Sequence, residues 1–526
     1  MSDTTAGAIP LDESGREVTP RKLIAFSALV FGMFMAILDI QIVSSSLSEI
    51  QAGLSAAPDE ISWVQTSYLI AEVVMIPLSG FLARALSTRI LFSLSALGFT
   101  VASVLCATAT TLPEMIVYRA IQGFVGGGMI PTAFAAAYTI FPRRYLPPIM
   151  AVVGLTVTLA PTIGPTVGGY LTSAFSWHWL FLINVVPGIA ATVLAWTLVD
   201  FDEPEFDLLK RFDVWGLVAM AIGLGSLQYF LEEGTRDDWF DSGVITFFFA
   251  ATLVSGAIFF WRTLTQPVPV VDLTAFKNRN FAVGCTLTFI IGIGLYGLTY
   301  LYPLYLGRVR GYNSLQIGET VFVTGAFMFA SAPIIGVLIR KFDPRIFIAL
   351  GLVGFVVSTF ELTPITNQWG FGELFFPQAL RGMALMFCMV PINMLALGTL
   401  TPLQVKNASG LFNLMRNLGG AVGLAIINTM LTTRTDVHIA QLNERITWSR
   451  QIAIETLQGM TQSFSATLGS DAELAALKKI AGMVQREAMV LAFADIFLLL
   501  SVFFCVACLF VPLLERPRMD ASAAAH

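Results

Sequence analysis

The chain has 526 residues and a formal net charge of −5, with 56% hydrophobic and only 12% charged residues. Soluble domains carry about 25% charged residues, so this composition, with its mean hydropathy of +0.75, excludes an ordinary water-soluble protein. A chain whose outer face contacts lipid needs far less charge, because the surrounding solvent is apolar. The sequence also lacks a basic tract suited to nucleic acid. We therefore expect an all-α polytopic membrane protein that binds no nucleic acid.

Apolar stretches recur along the whole chain, and each is close to the roughly 20 residues that a membrane-spanning helix needs. The fourteen predicted spans are 22–46, 60–82, 90–109, 114–137, 147–172, 178–199, 213–231, 242–264, 281–303, 317–339, 346–364, 374–398, 409–433 and 488–513. Lys and Arg alternate between the two sides, with eighteen on one side and three in the short loops of the other. Because Lys and Arg favour cytoplasmic loops, both termini are predicted to lie in the cytoplasm.

One connection, residues 434–487, is much longer than the others and is polar. Loops of this length are usually functional or disordered. The stretch DAELAALKKIAGMVQREA within it favours helix, so we expect short helices outside the membrane, on the side opposite the termini. A passive tether is the alternative interpretation.

Two segments match each other at a fixed offset of 256 residues, namely 77–103 and 333–359. Each segment contains a helix, a short basic loop and a second helix. The loop with Arg84 and Arg89 in the first segment aligns with the loop with Arg340 and Arg345 in the second. Chance supplies matching Gly and Pro in apolar helices, but aligned pairs of loop arginines are harder to obtain. The sequence therefore predicts two six-helix halves in the same orientation, with two helices inserted between them. Such parallel repeats describe secondary transporters that bind substrate between their halves.

The repeat divides the chain into predicted regions. These are a cytoplasmic tail 1–21, a six-helix bundle 22–199, a two-helix insert 200–280, a second six-helix bundle 281–513 that includes the segment 434–487, and a cytoplasmic tail 514–526.

Several local motifs resemble those of the major facilitator superfamily, specifically the fourteen-helix drug:proton antiporter branch known as the EmrB/QacA family and its EmrB-like subset. They are LDIQIV in the first helix, GFLARALSTR in the first basic loop, YRAIQGFVGGG in the fourth helix and APTIGPTVGGYL in the fifth. WHWLFLINVVPG and SLQYFLEEGTRDDWF are similar to the EmrB-like subset. The first basic loop departs from the family pattern, with Ala83 and Ser87 where the superfamily often has an acid and a Gly.

The resemblance implies a proton-driven antiporter, and the residues themselves suggest where the proton binds. Charged side chains inside a bilayer are costly and mark functional sites. Asp39 and Arg119 each lie about five residues, or roughly 8 Å, from the outer ends of their helices. We therefore expect a switchable pair that couples protonation to helix movement, with a permanent structural pair as the alternative. Glu72, near the centre of the second helix, is a second candidate for proton uptake or for binding a cationic substrate; the alternative is a buried neutral carboxyl.

Further residues are predicted for the substrate cavity and the moving parts. The cavity set is Glu72, Gln122, Arg381 and Arg416, where each arginine either contacts an anionic group or serves a structural role. The family's antiporter motif corresponds to Gly164, Pro165, Gly168 and Gly169, whose small side chains favour close helix approach. Two basic loops are predicted to form a cytoplasmic gate, unless they only anchor the helix ends; their residues are Arg84, Arg89, Arg340, Asp343 and Arg345.

These observations favour one functional class. The sequence has no GxxxxGK[ST] phosphate-binding loop and no clustered metal ligands, so an ATP-driven pump or a metalloenzyme is not expected. We predict a non-enzymatic, cofactor-free, proton-coupled multidrug exporter of the bacterial inner membrane, moving hydrophobic or amphipathic compounds. The alternative is an exporter of an endogenous metabolite, lipid or fatty acid. The resemblance to EmrB-like pumps also implies a periplasmic adaptor and an outer-membrane channel as partners.

Overall fold

The computed structural model describes residues 19–57, 60–142, 145–447 and 449–515. Most of the predicted tail 1–21 and of the tail 514–526 lies outside the described residues. Within them the regular elements are α- and 3-10 helices, with no strand, in agreement with the expected all-α class.

In the described residues of the first half, nine α-helices make six membrane spans. Their bounds are α1 Pro20–Ser45, α2 Leu47–Leu54, α3 Trp63–Leu86, α4 Thr88–Thr108, α5 Leu112–Gly126, α6 Met129–Ile140, α7 Leu146–Ala174, α8 Trp179–Leu182 and α9 Val185–Leu198. Helices α5 and α6 together form the fourth span, and α8 and α9 together form the sixth. The short helix α2 follows the first span.

The insert and the second half contain the remaining helices. The insert comprises α10 Val214–Glu233 and α11 Gly243–Thr265, and the second half comprises α12 Arg279–Arg308, α13 Ser314–Leu338, α14 Pro344–Phe360, α15 Phe371–Leu397, α16 Pro402–Arg445, α17 Gln451–Leu468 and α18 Ala472–Ala507. Among the described residues, thirteen helical segments are long and apolar enough to cross a membrane, and α14 is a fourteenth apolar helix of 17 residues. The expected number of spans is therefore confirmed.

Local sequence signals explain where several helices begin. Thr401 caps α16 by accepting a hydrogen bond from the Gln404 backbone N–H, while the Gln404 side chain accepts from the Thr401 N–H. Asn313 and Gln316 form the same reciprocal capping box at the start of α13. Such caps satisfy backbone donors that a helix leaves unpaired at its N-terminus. The helices therefore start at fixed points on either side of the membrane.

The repeat predicted from the sequence has a counterpart in the packing. Gly123 of α5 lies so close to α3 that a Cβ there would collide with the Tyr68 carbonyl oxygen. Gly382 of α15 lies in the same way against the Thr324 carbonyl oxygen of α13. Tyr68 and Thr324 are separated by the same 256 residues (324 − 68) as the repeated segments. The two halves thus share this close helix contact.

The two halves meet along two seams, α3 against α16 and α7 against α13. We call the end that bears Arg84 and Arg345 the basic end, and the opposite end the far end. At the basic end, Gly80 of α3 lies against the backbone of Asn407 in α16, and Gly336 of α13 lies against Pro148 of α7. Because Gly80 and Gly336 have no side chain, the helix backbones approach closely here and this end is closed.

The long segment 434–487 is largely helical. Helix α16 continues without a break to Arg445 over 44 residues, which corresponds to roughly 66 Å at 1.5 Å per residue. It is followed by α17 and by the first turns of α18. Asp495 of α18 accepts hydrogen bonds from Arg434 at 2.6 Å and from His438 at 2.9 Å, both on α16. The two long helices are therefore fastened together where they leave the bundle.

Candidate functional site

The first cluster centres on an ion pair inside the first half. Arg119 Nη1 lies 2.7 Å from Asp39 Oδ2, and both side chains are fully buried. The equal depth expected of these two residues is what allows α1 and α5 to bring them together. An isolated buried charge is very costly, so each of these charges depends on the other. Whether the pair switches during transport stays a prediction.

Two amide side chains complete the surroundings of the Asp39 carboxylate. Asn184, between α8 and α9, donates to Asp39 Oδ1 at 2.7 Å, and Gln122 donates to the same oxygen at 3.3 Å. The Gln122 oxygen in turn accepts from Arg119 at 2.6 Å, and its NH₂ donates to Ser103 of α4 at 2.8 Å. Gln122, expected in the substrate cavity, thus lies in the network around Asp39.

Helix α3 contributes the remaining contacts of Arg119. The Arg119 Nε donates to the Val64 carbonyl oxygen at 3.1 Å, and its guanidinium carbon lies 4.2 Å from the centre of the Tyr68 ring. Arg119 Nη2 and the Tyr68 hydroxyl find no hydrogen-bond partner among the described residues. The cluster therefore joins α1, α3, α4, α5 and the α8–α9 junction, yet keeps two unused polar groups.

This arrangement can couple a proton to a helix movement. While Arg119 and both amides point at Asp39, the carboxylate is satisfied in its charged form. If α5 shifts and withdraws Arg119, the same carboxylate is left in an apolar interior that favours its neutral form. Because five segments converge on the pair, such a shift would be transmitted through most of the first half.

The second cluster lies between the halves and contains Glu72. This residue of α3 is 2% exposed, and its Oε1 has no hydrogen-bond partner among the described residues. A Cβ added to Gly127 would lie 3.3 Å from its Cγ, so the α5–α6 junction packs directly on it. Helix α3, which carries Glu72, packs along α16 of the second half, which carries Arg416. Glu72 is therefore buried on a helix of the seam between the halves and does not face lipid.

Arg416 of α16 is the cationic member of this cluster. It is 1% exposed, and its Nε and Nη1 have no hydrogen-bond partner among the described residues. Its guanidinium carbon lies 5.7 Å from the centre of the Phe134 ring of α6, across the interface. Tyr296 of α12 lies beside it and donates to Asn417 at 3.2 Å. A buried guanidinium with two free donors can bind an anionic oxygen.

Arg381, the other predicted cation, is held inside the second half. Its Nη2 donates to Thr299 Oγ1 at 2.7 Å and to the Leu295 carbonyl oxygen at 3.4 Å. Its guanidinium carbon lies 5.4 Å from the centre of the Tyr302 ring. All three partners belong to α12, so these contacts tie α15 to α12. The geometry favours the structural alternative for Arg381 over a place in the substrate cavity.

The glycines of the antiporter motif form the contact between α7 and α1. A Cβ on Gly164 would collide with Gln41, and one on Gly168 would lie 2.7 Å from the Ser45 hydroxyl. Helix α7 continues through Pro165 to Ala174, and Gly169 is only partly buried. Since Gln41 and Asp39 share α1, a change in this contact can reach the ion pair.

The residues of the basic loops have separate partners. Arg345 pairs with Asp343 at 2.8 Å and donates to the Leu514 carbonyl oxygen at 3.1 Å, all within the second half. Arg89 lies over the Trp196 ring of α9, and Arg340 is exposed. Arg84 reaches across the interface to the side-chain amide of Asn407. With this amide turned so that its NH₂ donates to the Gly80 carbonyl oxygen at 3.1 Å, its oxygen accepts from Arg84 Nη1 at 3.2 Å. Of the five predicted gate residues, Arg84 thus has a contact that joins the halves.

Sequence reasoning did not single out some members of these clusters. Asn184 and Ser103 are neutral, so the search for charged residues inside spans passes over them. Asp202 lies in a polar loop, yet its carboxylate forms an ion pair with Lys406 of the second half at 2.7 Å. A conserved pattern of polar residues could have indicated such positions, but a single sequence cannot show one.

Residues 29–424 match the family model of the Major Facilitator Superfamily. The chain belongs to this superfamily. It is 45% identical over 94% of its length to the colistin resistance protein EmrB of Acinetobacter baumannii, covering 96% of that protein. It is 32% identical over 80% of its length to the multidrug export protein EmrB of Escherichia coli K12, covering 82% of it.

Two further similarities broaden the comparison. The chain is 30% identical over 95% of its length to the fatty acid resistance protein FarB of Neisseria gonorrhoeae, covering 97% of it. Its fold matches the solved proton:xylose symporter XylE with a TM-score of 0.54 and 13% identity, over 92% of this chain and 95% of that one. The expected membership in the EmrB-like group is confirmed, and this member of the superfamily is a transporter of the bacterial inner membrane, not an enzyme.

Proposed function

We propose that this transporter is a proton-coupled multidrug efflux protein that exports hydrophobic or amphipathic compounds by alternating access. The observation that carries the proposal is the buried Asp39–Arg119 pair, 2.7 Å long and surrounded by Gln122, Asn184 and Ser103. A titratable carboxylate held by one movable cation can bind and release a proton without leaving the membrane. The similarity to multidrug export and resistance proteins supports the direction of transport.

The energy available from protons is sufficient for uphill export. Each positive charge that moves inward gains about 2.3 kcal/mol per 100 mV of membrane potential. In the proposed cycle, Asp39 takes a proton when Arg119 moves away and releases it when Arg119 returns. Each exchange therefore converts proton movement into a shift of α5 against α1.

The proposed substrate site is the second cluster, between the halves. Within the part of the chain that the structure describes, Glu72 Oε1 has no hydrogen-bond partner, and the same is true of Arg416 Nε and Nη1. Phe134 supplies an aromatic face beside Arg416. Such a site offers one contact for an acidic group, one for a basic group and an apolar wall, which suits varied amphipathic compounds.

Alternating access requires that the seams open at one end while they close at the other. At the basic end, Gly80 and Asn407 are in backbone contact and Lys406 pairs with Asp202. The Gly164 and Gly168 contact between α7 and α1 gives a smooth surface along which these helices slide. We propose that the Gly80–Asn407 and Lys406–Asp202 contacts separate together when the basic end opens, while α7 slides against α1 within the first half.

The function is tested with purified protein in proteoliposomes under an imposed pH gradient. The panel contains one cationic, one neutral and one acidic hydrophobic compound. We expect gradient-driven movement that the Asp39→Asn substitution abolishes. Movement that is independent of the gradient, or that persists in Asp39→Asn, would contradict proton coupling. Asp207→Asn is the matched control, because the Asp207 side chain is 91% exposed.

The same panel tests the substrate site. Arg416→Gln removes the cation and should reduce export of the acidic compound most, while Glu72→Gln should affect the cationic compound most. Equal effects on all three compounds would assign both residues to structure or coupling instead. Arg211→Gln serves as a control, since Arg211 is exposed in the segment before α10, outside the clusters described above.

A second candidate function is export of a lipid or fatty acid, which the similarity to the fatty acid resistance protein supports. The unpaired donors of Arg416 could receive a carboxylate head group in the same site. Adding a long-chain fatty acid to the panel separates the candidates. Gradient-driven export of the fatty acid alone would favour this second function over multidrug export.

Orientation and partners belong to the same proposal. We place both termini in the cytoplasm and α17 in the periplasm, where it would contact an adaptor protein that leads to an outer-membrane channel. The extension of α16 to Arg445 and the helix α17 provide a surface beyond the bundle. Labelling of a Ser463→Cys variant in intact spheroplasts tests the orientation. Deletion of residues 440–480 should abolish cellular efflux but leave transport in proteoliposomes intact; unchanged cellular efflux would contradict docking.

A further inference from the structure

The insert helix α10 follows α3 along its whole length. At the basic end, the ring of Phe212, just before α10, lies 4.9 Å from that of Phe81. In the middle, a Cβ on Gly225 would lie 3.3 Å from Ile70. Toward the far end, the Tyr229 ring lies 5.4 Å from the Trp63 ring. The insert is therefore packed as part of the first half.

Polar contacts fasten the far end of α10 to α3 as well. Glu233 is 3% exposed and accepts from the Thr66 hydroxyl at 3.1 Å. Arg236 pairs with Glu233 at 3.0 Å and donates to the Ser62 hydroxyl at 2.9 Å. These hydrogen bonds fix the position of α10 relative to α3 more closely than the aromatic packing does alone. We therefore expect α10 and the start of α3 to move as one unit.

The tip of the insert also crosses the seam to the second half. The Thr429 hydroxyl of α16 lies 3.0 Å from the Thr235 hydroxyl and accepts from Trp239 Nε1 at 3.0 Å. It also donates to the Ala425 carbonyl oxygen at 2.8 Å. A hydroxyl has one donor and two acceptor positions, so Thr235 donates and Thr429 is fully satisfied. Both of these hydrogen bonds from the insert tip to α16 therefore end on the same residue, Thr429.

The asymmetry of these contacts assigns a role to the insert. The bonds to α3 are many and extend along the helix, whereas the bonds to α16 converge on Thr429 at the far end. We infer that the insert is a latch, carried by the first half, that closes the far end of the α3–α16 seam by binding Thr429 and releases it when that end opens. The inference rests on the proposed alternating access.

Two pairs of introduced cysteines test whether the insert parts from α16 and stays on α3 during transport. They are made in a background where Cys505 and Cys508 are replaced by Ser. Thr235→Cys with Thr429→Cys ties the tip to α16, and Ile70→Cys with Gly225→Cys ties the insert to α3. The Thr235 and Thr429 hydroxyl oxygens lie 3.0 Å apart, and a Cβ at Gly225 would lie 3.3 Å from a methyl carbon of Ile70, so we expect each pair to form a disulfide. After oxidation, the first pair should lose gradient-driven transport and regain it on reduction, while the second pair should keep it.

Either of two outcomes overturns the latch. Full transport with the first pair oxidised would show that the Thr429 contact never opens. Loss of transport with both pairs oxidised would show that the insert moves against α3. A wild-type protein without any gradient-driven transport would instead refute the proposed function.

A measurement that does not depend on transport then decides the inference. Spin labels at the exposed positions 241 on the insert tip and 433 on α16 leave Thr235 and Thr429 intact. They should give two distance populations in reconstituted protein, and labels at 70 and 225 should give one. Thr429→Val removes both inter-half hydrogen bonds and should raise the long-distance population about tenfold. Thr432→Val, an exposed position on the same helix, should leave it unchanged. A single short distance between 241 and 433 in every variant would refute the latch.

Discussion

Lys406 of α16 lies 2.7 Å from Asp202, which follows α9, so this ion pair joins the two halves at the basic end. The Asp202 carboxylate also accepts from the Thr88 backbone N–H at 2.9 Å and from its hydroxyl at 2.6 Å. The two side chains are only 13% and 8% exposed. Asp202 therefore accepts hydrogen bonds at the start of α4 and pairs with Lys406 of the second half at the same time. This links the start of α4 to the closure of the seam.

Replacing Lys406 should weaken this closure. A surface ion pair contributes up to about 1 kcal/mol and breaking a buried one costs about 3–5 kcal/mol, so Lys406→Ala falls between these limits. We expect faster labelling of an Asn407→Cys reporter by a membrane-impermeant thiol reagent from the basic side. The double reversal Asp202→Lys with Lys406→Asp should restore part of the protection. Equal labelling in all variants would show that the pair does not hold the seam.

Replacing Asp39 should separate charge from packing. Asp39→Asn keeps the shape of the side chain but leaves Arg119 without a counter-charge, at a cost of about 3–5 kcal/mol of stability. We expect loss of gradient-driven transport together with a lower unfolding temperature in detergent. Asp39→Glu keeps the charge and should recover stability more than transport, since the longer side chain disturbs the bonds to Asn184 and Gln122. Normal pH-driven transport by Asp39→Asn would remove it from the coupling site.

Gly123 and Gly382, the matched glycines of the two halves, should both be intolerant of substitution by Ala. A Cβ at Gly123 or Gly382 would collide with a backbone carbonyl oxygen of the neighbouring helix, which cannot move without shifting that helix. Overpacking of this kind costs about 1–3 kcal/mol or more, so Gly123→Ala and Gly382→Ala should both lower the unfolding temperature. Gly256→Ala is the control, because nothing lies within 4 Å of a Cβ there and Ala favours the helix by about 1 kcal/mol. A neutral Gly123→Ala would contradict the contact.

The insert offers a prediction about acid stability. Asp213 precedes α10 and accepts from Arg262 of α11 at 2.6 Å. Burial raises the pKa of Asp213, but the hydrogen bonds from Arg262 and the Gly216 N–H outweigh it and leave the pKa below its ordinary value. The stabilisation is therefore present above the ordinary Asp pKa of about 4 and is lost as the pH falls below it.

Asp213→Asn tests this pH dependence. The variant should unfold at a lower temperature than the wild type at neutral pH, and the difference should shrink toward pH 3. Asp207→Asn, on an exposed carboxyl, should show no difference at either pH. A difference for Asp213→Asn that is constant with pH would mean that its charge contributes nothing.

Much of the fold could be predicted from the sequence. The spans were found because each is a contiguous apolar run, and the repeat because its Gly, Pro and Arg positions recur at one offset. The pairing of Asp39 with Arg119 was accessible because both charges lie at equal depth. The separate places of Arg381 and Arg416 were not, because their sequence surroundings are equally apolar and only the facing helix distinguishes them.

By itself, the sequence determined how many times the chain crosses the membrane, its two-half repeat and its buried charges, since these follow from hydrophobicity and spacing along the chain. Only the tertiary structure decided which groups meet. It placed Asn184 on Asp39, Arg416 beside Phe134, Lys406 on Asp202 and the insert tip on Thr429. Each of these contacts depends on how helices distant in sequence are rotated and packed, which a local pattern does not encode.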